Sequence, residues 1–502
     1  MNSLYSVAEI RAIEQAAAAA LPAGTLMRRA GLAAGNAALE LLAGHTDPRA
    51  LVLAGPGNNG GDALEVAANL ARAGIEVTVL HLAGGAAPSG ETADALARAR
   101  NSTAQFVDVL PARRDWSLVV DGLFGIGLAR PLAGRARTLA EATRNAGCAV
   151  LALDVPSGLD ADTGAVVGPD GAAVRATHTI TFIGDKPGLH TGDGRDYAGM
   201  VLVAPLDIVH ATPARAHLNR PESFARWLAP RAHNSHKGSF GDLAVVGGAH
   251  GMAGAPVLAA RGALYCGAGR VYIAAVDPGP AFDSVQPEIM FRTAADFEFV
   301  RSTLVLGPGM GLAPHAAALL SKALDSACPM VLDADALNIV AAIAGLRTSL
   351  ARRSAATVLT PHPLEAARLL GVTSAAVQAD RLAAARALAA RFNAVVVLKG
   401  SGTVIAQADG TLAVNPTGNP GLATAGTGDV LAGICGALLA QGWPAYEAAL
   451  GAVWIHGAAA DRLVEQGAGP IGLTAGELPA AARAVLNRLV AGRFTPGGQP
   501  RS

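Results

Sequence analysis

The sequence predicts an α/β protein with two successive sheet-containing units. Three observations support this: short apolar runs alternate with alanine-rich helical windows, glycine-rich loops follow several of the runs, and the alternation stops and restarts once. Such alternation is typical of a parallel sheet covered by helices on both faces. The interruption is the proline-containing stretch 205–222, which has little periodicity. We therefore predict two domains, over residues 1–210 and 223–495.

Composition limits the classes of function. In 502 residues, 39 basic side chains balance 39 acidic ones, so no positive excess favours nucleic acid or a membrane surface. The N-terminal residues lack a signal pattern, and no apolar run is long enough to span a membrane. The four cysteines lie in apolar runs without a CxxC pair, which indicates a reducing compartment. We expect a cytoplasmic homo-oligomer with small molecules as partners, and neither nucleic acid nor membrane.

In the first unit, two alanine-rich helices over residues 7–43 precede the first strand, and helical windows near 91–100 and 136–146 lie among the later strands. The alternation predicts a Rossmann-like three-layer sandwich. The expected strands are Ala50–Ala54, Glu76–Leu80, Ser117–Val120, Ala149–Leu153, Thr177–Phe182 and Met200–Val203.

Polar residues follow three of these strands. The loop GPGNNGGD at 55–62 lies between a strand and a helix, where doubly wound sheets bind ligands, and its amide and carboxylate oxygens suit a hard cation. Asp121 and Asp154 each follow a later strand. Each residue alone is equally an ordinary turn residue. Three polar strand ends at one sheet edge nevertheless predict a pocket.

The second unit is larger, with alanine-rich helices expected at 376–392 and 444–465. Its expected strands are Leu243–Val246, Gly269–Ala275, Leu304–Leu306, Met330–Leu332, Ala356–Leu359, Ala394–Leu398, Thr403–Ala406 and Thr411–Val414.

The most informative stretch of the chain is NPTGNPGLATAGTGDVLAGI, at residues 415–434. Its first half consists of turn residues, and its second half begins an amphipathic helix. Free N–H groups and the positive end of the helix dipole favour an anion at this point. Asp429 lies in this anion site. It either caps the helix or takes a proton from a hydroxyl group that attacks a bound phosphoryl group.

Other polar loops of this unit have structural alternatives. His362 is either a ligand contact or a helix-entry histidine bonded to backbone, and Lys399 is either a phosphate contact or a solvated turn lysine. Asp333 and Asp335 have either a structural role or a magnesium contact.

Together these strings resemble two known families. The loops at 55–62, 121–131 and 154–160 resemble those of NAD(P)H-hydrate epimerases. The strings GGxxGMAGAP, GPGMG, DADALN, TPHPLE, KGSGT and GTGDVLAG resemble those of the ribokinase-like, ADP- or ATP-dependent NAD(P)H-hydrate dehydratases. The resemblance implies a bifunctional repair enzyme. The first unit would interconvert the R and S hydrates of NADH and NADPH (NADHX and NADPHX). The second would dehydrate the S epimer while ADP is converted to AMP and phosphate.

The resemblance also implies residue roles in the first unit. Asp154 would be the acid or base near the inverted carbon. The implied potassium ligands are Asn59, Asp121 and Ser157. The implied substrate contacts are Asn58, Asn59, Gly60, Gly61, Asp62, Gly125, Ile126, Gly127, Leu128, Ala129, Arg130, Pro131 and Asp154.

In the second unit, the resemblance implies that Asp429 accepts the proton of the substrate hydroxyl. Magnesium and ADP are the implied cofactor and co-substrate; fusions of this type generally use ADP, although the residues do not discriminate ADP from ATP. The implied substrate contacts are Ala255, Gly309, His362 and Asp429. The implied nucleotide contacts are Lys399, Gly400, Ser401, Gly402, Thr403 and Gly428.

Two other functions fit part of the sequence. A ribokinase-like small-molecule kinase fused to a non-catalytic binding domain would carry similar loops and would release a stable phosphorylated product. An NAD-dependent oxidoreductase is disfavoured because no GxGxxG follows the first strand of either unit.

Overall fold

The chain divides into two compact units between Ala216 and His217 in the computed structural model. The structure describes residues 2–84, 90–113 and 115–493. The predicted domain limits at residues 1 and 495 lie outside the described residues. Each unit contains a largely parallel sheet with helices packed on it, and this confirms the predicted α/β fold class.

The N-terminal unit is built on a parallel sheet. Its strand order is β4-β3-β2-β5-β6-β7-β8, and every neighbouring pair is parallel. The strands of the unit are β1 (Ser3–Leu4), β2 (Arg49–Ala54), β3 (Glu76–His81), β4 (Gln105–Val107), β5 (Leu118–Gly122), β6 (Ala149–Leu153), β7 (His178–Phe182) and β8 (Met200–Ala204). The helices are α1 (Val7–Ala20), α2 (Thr25–Leu42), α3 (Asn58–Arg72), α4 (Gly90–Arg100), α5 (Gly134–Thr143) and α6 (Gly194–Tyr197).

Side-chain alternation along β2 shows why both faces of this sheet are covered. Val52 lies opposite Val79 and Val120 in the register and belongs to the apolar cluster under α2 and α3. Its neighbours Leu51 and Leu53 point to the other face, into the cluster that includes residues of α5. A strand buried on both faces reads as a continuous apolar run. The loops after β2, β5 and β6 therefore leave the core at one edge of the sheet.

The C-terminal unit has a larger sheet. Its strand order is β9-β18-β17-β16-β15-β14-β13-β10-β11-β12, and β17 runs antiparallel to both β16 and β18. The strands are β9 (Ala216–Leu218), β10 (Asp242–Gly247), β11 (Arg270–Ala275), β12 (Met290–Thr293), β13 (Thr303–Leu306), β14 (Met330–Leu332), β15 (Thr357–Leu359), β16 (Val395–Leu398), β17 (Val404–Ala406) and β18 (Leu412–Val414). The helices are α7 (Gly254–Tyr265), α8 (Pro314–Leu324), α9 (Ala334–Ala342), α10 (Ala344–Ala351), α11 (Pro363–Leu370), α12 (Ser374–Ala379), α13 (Arg381–Phe392), α14 (Thr427–Ala440), α15 (Ala445–Glu465) and α16 (Leu478–Arg493).

One helix prediction is wrong in detail. The alanine-rich stretch 376–392 forms two helices, because the chain leaves helical geometry at Asp380 (φ −145°). The Asp380 carboxylate accepts a hydrogen bond from Ala383 N at 2.8 Å and so caps the start of α13.

No single helix in the described part of the chain is both long and apolar enough to cross a membrane. The bent pair α9 and α10 meets the length and composition criteria only when its two helices are taken together. The four cysteines are free thiols, and three of them are buried.

Helix α14, which begins in the predicted anion site, packs closely against α7. A Cβ atom on Gly433 would lie 1.9 Å from the carbonyl oxygen of Ala259, and one on Gly262 would lie 2.7 Å from that of Val430. Only glycine permits this approach at both positions, since a side chain there would collide with backbone. The two glycines thereby fix the position of the N-terminus of α14.

We expect Gly433→Leu to destabilise the C-terminal unit, because the new side chain separates α14 from α7. The free energy of unfolding should fall by about 1–3 kcal/mol, the range for overpacked cores. Chemical denaturation followed by circular dichroism measures it. Gly345→Ala in α10 is the control, since no atom lies within 4 Å of its added methyl group. An unchanged midpoint for Gly433→Leu would contradict the packing argument.

Candidate functional site

A cavity of about 710 Å³ opens at the carboxyl edge of the N-terminal sheet. Helices α1, α2 and α3 line it together with the loops after β2, β5, β6 and β7. Eight of the predicted substrate contacts lie in its wall: Asn58, Asn59, Asp62, Gly125, Ile126, Gly127, Leu128 and Asp154.

Asp154 is held in a strained conformation at this edge. Its φ is +66°, a region that residues with a side chain rarely adopt and that costs about 1 kcal/mol or more. One carboxylate oxygen, Oδ2, accepts a hydrogen bond from Ile126 N at 3.0 Å. The other, Oδ1, accepts one from Lys186 Nζ at 2.7 Å. Backbone strain at a cavity wall is typical of a functional residue.

Lys186 is the residue that sequence reasoning missed. Its side chain is fully buried, and Nζ also donates to Thr181 Oγ1 at 2.7 Å and to the Phe182 carbonyl at 2.8 Å. One signal pointed to it: lysine occurs in this chain only at positions 186, 237, 322 and 399, among 39 basic residues. Because arginine occupies nearly every other basic position, each of the four lysines is a candidate for a place that uses a compact ammonium.

Asp62 and Glu14 line the same cavity. Burial raises the pKa of Asp62 well above its usual range, and the carboxylates of Asp154 and Glu14 raise it further. Burial also raises the pKa of Glu14, and Asp154 adds to that effect. The cavity wall therefore contains several carboxyl groups that differ in their surroundings.

The three predicted potassium ligands are buried, and of them Asn59 lines the cavity. Asn59 is 8% exposed, and neither its side-chain oxygen nor its nitrogen has a hydrogen-bond partner. Ser157 Oγ donates to Asp121 Oδ1 at 2.7 Å, and Ser157 N donates to Asp121 Oδ2 at 2.8 Å. Burial raises the pKa of Asp121 to about 6, against these hydrogen bonds, which lower it. An unpaired buried amide oxygen and a fully buried carboxylate are both oxygen donors of the kind that suit a monovalent cation.

The remaining predicted contacts of this unit lie elsewhere. Gly60 and Gly61 are packing positions: a Cβ on the first would lie 1.8 Å from Gly55 O, and one on the second 2.5 Å from the Met27 side chain. Ala129, Arg130 and Pro131 are exposed and do not line the cavity.

In the C-terminal unit, Asp429 lies in the first turn of α14, after Gly426 with φ +90°. Lys399, at the end of β16, points at the same turn, because a Cβ on Gly428 would lie 3.4 Å from its Nζ. Lys399 Nζ also donates to Asp333 Oδ1 at 2.6 Å. The structure thus brings a carboxyl group, an ammonium and a helix N-terminus together.

The charges around Asp429 place its titration near neutrality. Burial raises its pKa to about 7, with a further increase from Asp333 and a decrease from Lys399. The pKa of Lys399 is lowered by burial but raised by Asp333 and Glu365, with a net increase. Lys399 therefore stays protonated, and it is not a solvated turn lysine, since its side chain is only 19% exposed.

His362 is the helix-entry residue of α11. Its Nδ1 accepts hydrogen bonds from Leu364 N at 3.0 Å and Glu365 N at 3.4 Å, and Glu365 closes a capping box by accepting from His362 N. Burial lowers the pKa of His362, and Lys399 lowers it further. Its ring is therefore neutral, and the helix cap occupies one of its nitrogens.

The turn at residues 399–403 rests on a buried arginine. Arg381 is 1% exposed, and its Nη2 donates to the carbonyls of Leu398 and Lys399 at 3.1 and 3.2 Å. Gly400 has φ +144°, and a Cβ there would lie 2.7 Å from both terminal nitrogens of Arg381. The guanidinium therefore fixes the path of the turn that contains Ser401, Gly402 and Thr403.

Ala255 and Gly309 meet at the neighbouring strand ends. A Cβ on Gly309 would lie 3.2 Å from the Ala255 Cβ and 2.6 Å from Met252 O. This contact joins the loop after β13 to the start of α7. Asp335, in the first turn of α9, accepts a hydrogen bond from Gly311 N at 2.9 Å and so ties the same loop to the end of β14.

Comparisons with known proteins match both units. The model of the family described as YjeF-related protein N-terminus matches residues 23–188, and that of NAD(P)H-hydrate dehydratase matches residues 243–479. A bifunctional NAD(P)H-hydrate repair enzyme of Coxiella burnetii is 38% identical over 97% of this chain and 100% of its own length.

Two further relatives resemble the C-terminal half. An ADP-dependent (S)-NAD(P)H-hydrate dehydratase of Neisseria meningitidis is 51% identical over 53% of this chain and 92% of its own length. A solved ADP/ATP-dependent NAD(P)H-hydrate dehydratase of Bacillus subtilis is 33% identical and covers 54% of this chain and 98% of its own, with a TM-score of 0.49. From its full-length similarity, this chain belongs to the family of bifunctional NAD(P)H-hydrate repair enzymes.

Proposed function

We propose that the chain repairs hydrated NADH and NADPH in two steps, with the residues described above. The N-terminal unit interconverts the R and S hydrates at the cavity around Asp154. The C-terminal unit dehydrates the S epimer and converts ADP to AMP and phosphate. The observation that carries the proposal is the position of Asp429, which lies beside Lys399 at the N-terminus of α14, with a pKa of about 7.

The dehydration needs activation because hydroxide is a poor leaving group. Asp429 accepts the proton of the substrate hydroxyl, whose oxygen then attacks the terminal phosphoryl group of ADP. The backbone N–H groups at the start of α14 and the Lys399 ammonium stabilise charge on the transferred group. Phosphate then leaves, with the electron pair of the ring nitrogen assisting, and loss of the ring proton restores NADH. Arg381 acts indirectly, by holding the turn that we assign to the nucleotide.

Magnesium fits this site as part of the nucleotide. No group of three histidine, cysteine or acidic side chains in the described part of the chain is arranged to hold a metal alone. Magnesium is usually held by substrate phosphates together with one or two carboxylates. Asp335, in the first turn of α9, and Glu365, in the first turn of α11, are the carboxylates that would hold it together with the phosphates. The ion would neutralise charge on the phosphates.

Asp429→Asn should lower the rate at which NADH absorbance is recovered from the S hydrate in the presence of nucleotide, by about 10²–10⁴-fold or more. Epimerisation should be unchanged. In the wild type, kcat/KM for dehydration should fall as the pH drops below about 7, because protonated Asp429 no longer accepts a proton. Asp325→Asn, an exposed aspartate of the same unit, is the control. Release of a stable phosphorylated product without return of NADH absorbance would favour the small-molecule kinase instead.

Asp154→Asn should leave the R hydrate unconsumed while the S hydrate is still dehydrated. An asparagine keeps the shape but cannot exchange a proton, so the epimerisation rate should fall by about 10²–10⁴-fold. The measurement is NADH recovered from purified R hydrate with ADP and magnesium, corrected for spontaneous epimerisation. Asp94→Asn on the exposed side of α4 is the matched control. Wild-type consumption of the R hydrate by Asp154→Asn would exclude Asp154 from this step.

Potassium fits the N-terminal unit, since the buried amide oxygen of Asn59 has no hydrogen-bond partner and the buried carboxylate of Asp121 accepts hydrogen bonds from neutral donors, Leu123 N and Ser157. Asn59, Asp121 and Ser157 would hold the ion, which would supply positive charge beneath the substrate.

Potassium chloride should therefore raise the unfolding temperature of this unit relative to tetramethylammonium chloride at equal ionic strength. The unfolding temperature should rise by about 2–4 °C for each kcal/mol by which bound potassium stabilises the folded unit. Asn59→Ala should lose the shift, and Asn101→Ala, at an exposed position, should keep it. An equal shift in both variants would place the ion elsewhere.

We also propose a cytoplasmic location, which the free thiols support. The homo-oligomer expected from the sequence stays a prediction, and light scattering on the purified protein tests it.

A further inference from the structure

We propose that Lys186 divides the two aspartate carboxyl groups of the N-terminal cavity into a proton acceptor, Asp154, and a proton donor, Asp62. The inference rests on the epimerase activity proposed above. Inversion at a carbon that carries a hydroxyl group needs one group that gives a proton and one that takes it. Both aspartates line the same cavity, so both are placed to contact the substrate.

Lys186 has no free hydrogen for a substrate. Its ammonium has three donor hydrogens and three acceptors, which are Asp154 Oδ1, Thr181 Oγ1 and the Phe182 carbonyl, all within 2.8 Å. The side chain is fully buried. Lys186 is therefore a positioning residue: it binds Asp154 Oδ1 and leaves Oδ2 on the side of Ile126 and the cavity.

The loop around Lys186 is built to hold this contact. Ile183 has φ +68°, a conformation that is unfavourable for a β-branched residue. Asp185 accepts hydrogen bonds from Lys186 N at 2.8 Å and interacts with His190 Nε2 at 2.8 Å. Strain of this kind persists only where surrounding contacts fix the chain, and here it orients the ammonium toward Asp154.

Asp62 has the opposite surroundings. Among the described residues it has no hydrogen bond or ion pair to either carboxylate oxygen, and its strongest charged neighbours are acidic. Burial and these neighbours raise its pKa, which favours the protonated form. The charged groups that face or influence it are Arg11 and Glu14 of α1, Glu65 of its own helix, Glu91 of α4, Asp154 and, through Asp154, Lys186. Of these acids, Glu65 is already paired with Arg98.

The two roles give a balanced reaction. Asp62 transfers its proton to the substrate hydroxyl as the carbon–oxygen bond breaks, and the oxygen leaves with the bonding pair as water. The lone pair of the ring nitrogen forms a carbon–nitrogen double bond at the same time. Water then adds to the opposite face, the double-bond electrons return to nitrogen, and Asp154 takes the proton released by that water. The carboxylates in the cavity wall stabilise the cationic intermediate.

Lys186 also resets the site. After one inversion Asp154 carries the proton and Asp62 is ionised. The ammonium donates a hydrogen bond to Asp154, whereas burial and the acidic surroundings of Asp62 favour its protonated form. The proton therefore returns from Asp154 to Asp62 through cavity water, and the next cycle begins from the same state.

The first test is Asp62→Asn, measured with the full-length protein by the conversion of purified R hydrate to S hydrate. The expected result is a kcat lower by about 10²–10⁴-fold with KM changed by less than about threefold. In the wild type the epimerisation rate should fall at high pH, as Asp62 loses its proton. The residual activity of Asp62→Asn should lack that fall. Asp94→Asn should retain wild-type values.

The second test is Lys186→Met, which keeps the length of the side chain and removes the charge. We expect a lower kcat for epimerisation. The decrease of the epimerisation rate at low pH should also begin at a higher pH than in the wild type, since Asp154 has lost its cationic partner. Lys186→Arg should recover part of the rate and of the profile. Lys237→Met, an exposed lysine outside this unit, controls for loss of charge.

The outcomes separate the inference from the proposed function. If wild-type protein does not interconvert the hydrates at any pH, the epimerase assignment itself fails. If the wild type is active and Asp62→Asn keeps its kcat and high-pH fall, or only raises KM, Asp62 is not the donor. If Lys186→Met keeps the wild-type pH profile, the lysine does not divide the two carboxyls. A wild-type profile without a fall at high pH would by itself exclude a carboxyl proton donor, whatever the variants show.

Discussion

A buried lysine–aspartate pair lies at the carboxyl edge of the sheet in each unit. Lys186 contacts Asp154 at 2.7 Å in the first unit, and Lys399 contacts Asp333 at 2.6 Å in the second. Removing one partner of such a pair leaves an uncompensated buried charge, at a cost of about 3–5 kcal/mol. The surrounding loops must therefore keep the lysine and the aspartate of each pair in contact. The site residues lie where those loops end.

The two pairs act differently because their lysines differ in access. Lys186 is fully enclosed and acts only through Asp154. Lys399 is partly accessible and lies against Gly428, so it is placed to contact a phosphoryl group directly. The Asp333 carboxylate accepts hydrogen bonds from Lys399 and Thr360. Asp429 is therefore the carboxyl group at this turn that is available to accept a proton. Asp333 thus pairs with the lysine, and the neighbouring Asp429 is left to take part in proton transfer.

The fold and the location of both sites followed from sequence, because parallel strands place their carboxyl ends at one edge. The pattern identified that edge through its glycine-rich loops and through Asp429. It did not identify Lys186, since Asp185-Lys186-Pro187-Gly188 has the composition of a solvent-exposed turn, and its burial depends on the strained path at Ile183. Tertiary contacts of this kind leave no periodic signal.

Other residues show the same limit. The sequence left two interpretations of His362 open, and in the structure its Nδ1 caps the start of α11. Gly60 and Gly61 lie within a motif, yet the structure gives them packing contacts with Gly55 and Met27. A motif contains residues needed for packing as well as residues needed for chemistry, and sequence spacing does not distinguish the two kinds. The contacts of each residue in the structure do distinguish them.

Both proposed reactions begin at the same carbon–oxygen bond, and this sets opposite requirements on two buried acids at one pH. The dehydratase needs an acid without its proton, to generate a nucleophilic oxygen. The epimerase needs an acid with its proton, to release that oxygen as water. Burial alone would protonate both. Lys399 lowers the pKa of Asp429 toward neutrality, whereas the carboxyl groups around Asp62 add to the increase that burial causes. The placement of the lysines therefore decides which carboxyl group of each site accepts a proton and which donates one.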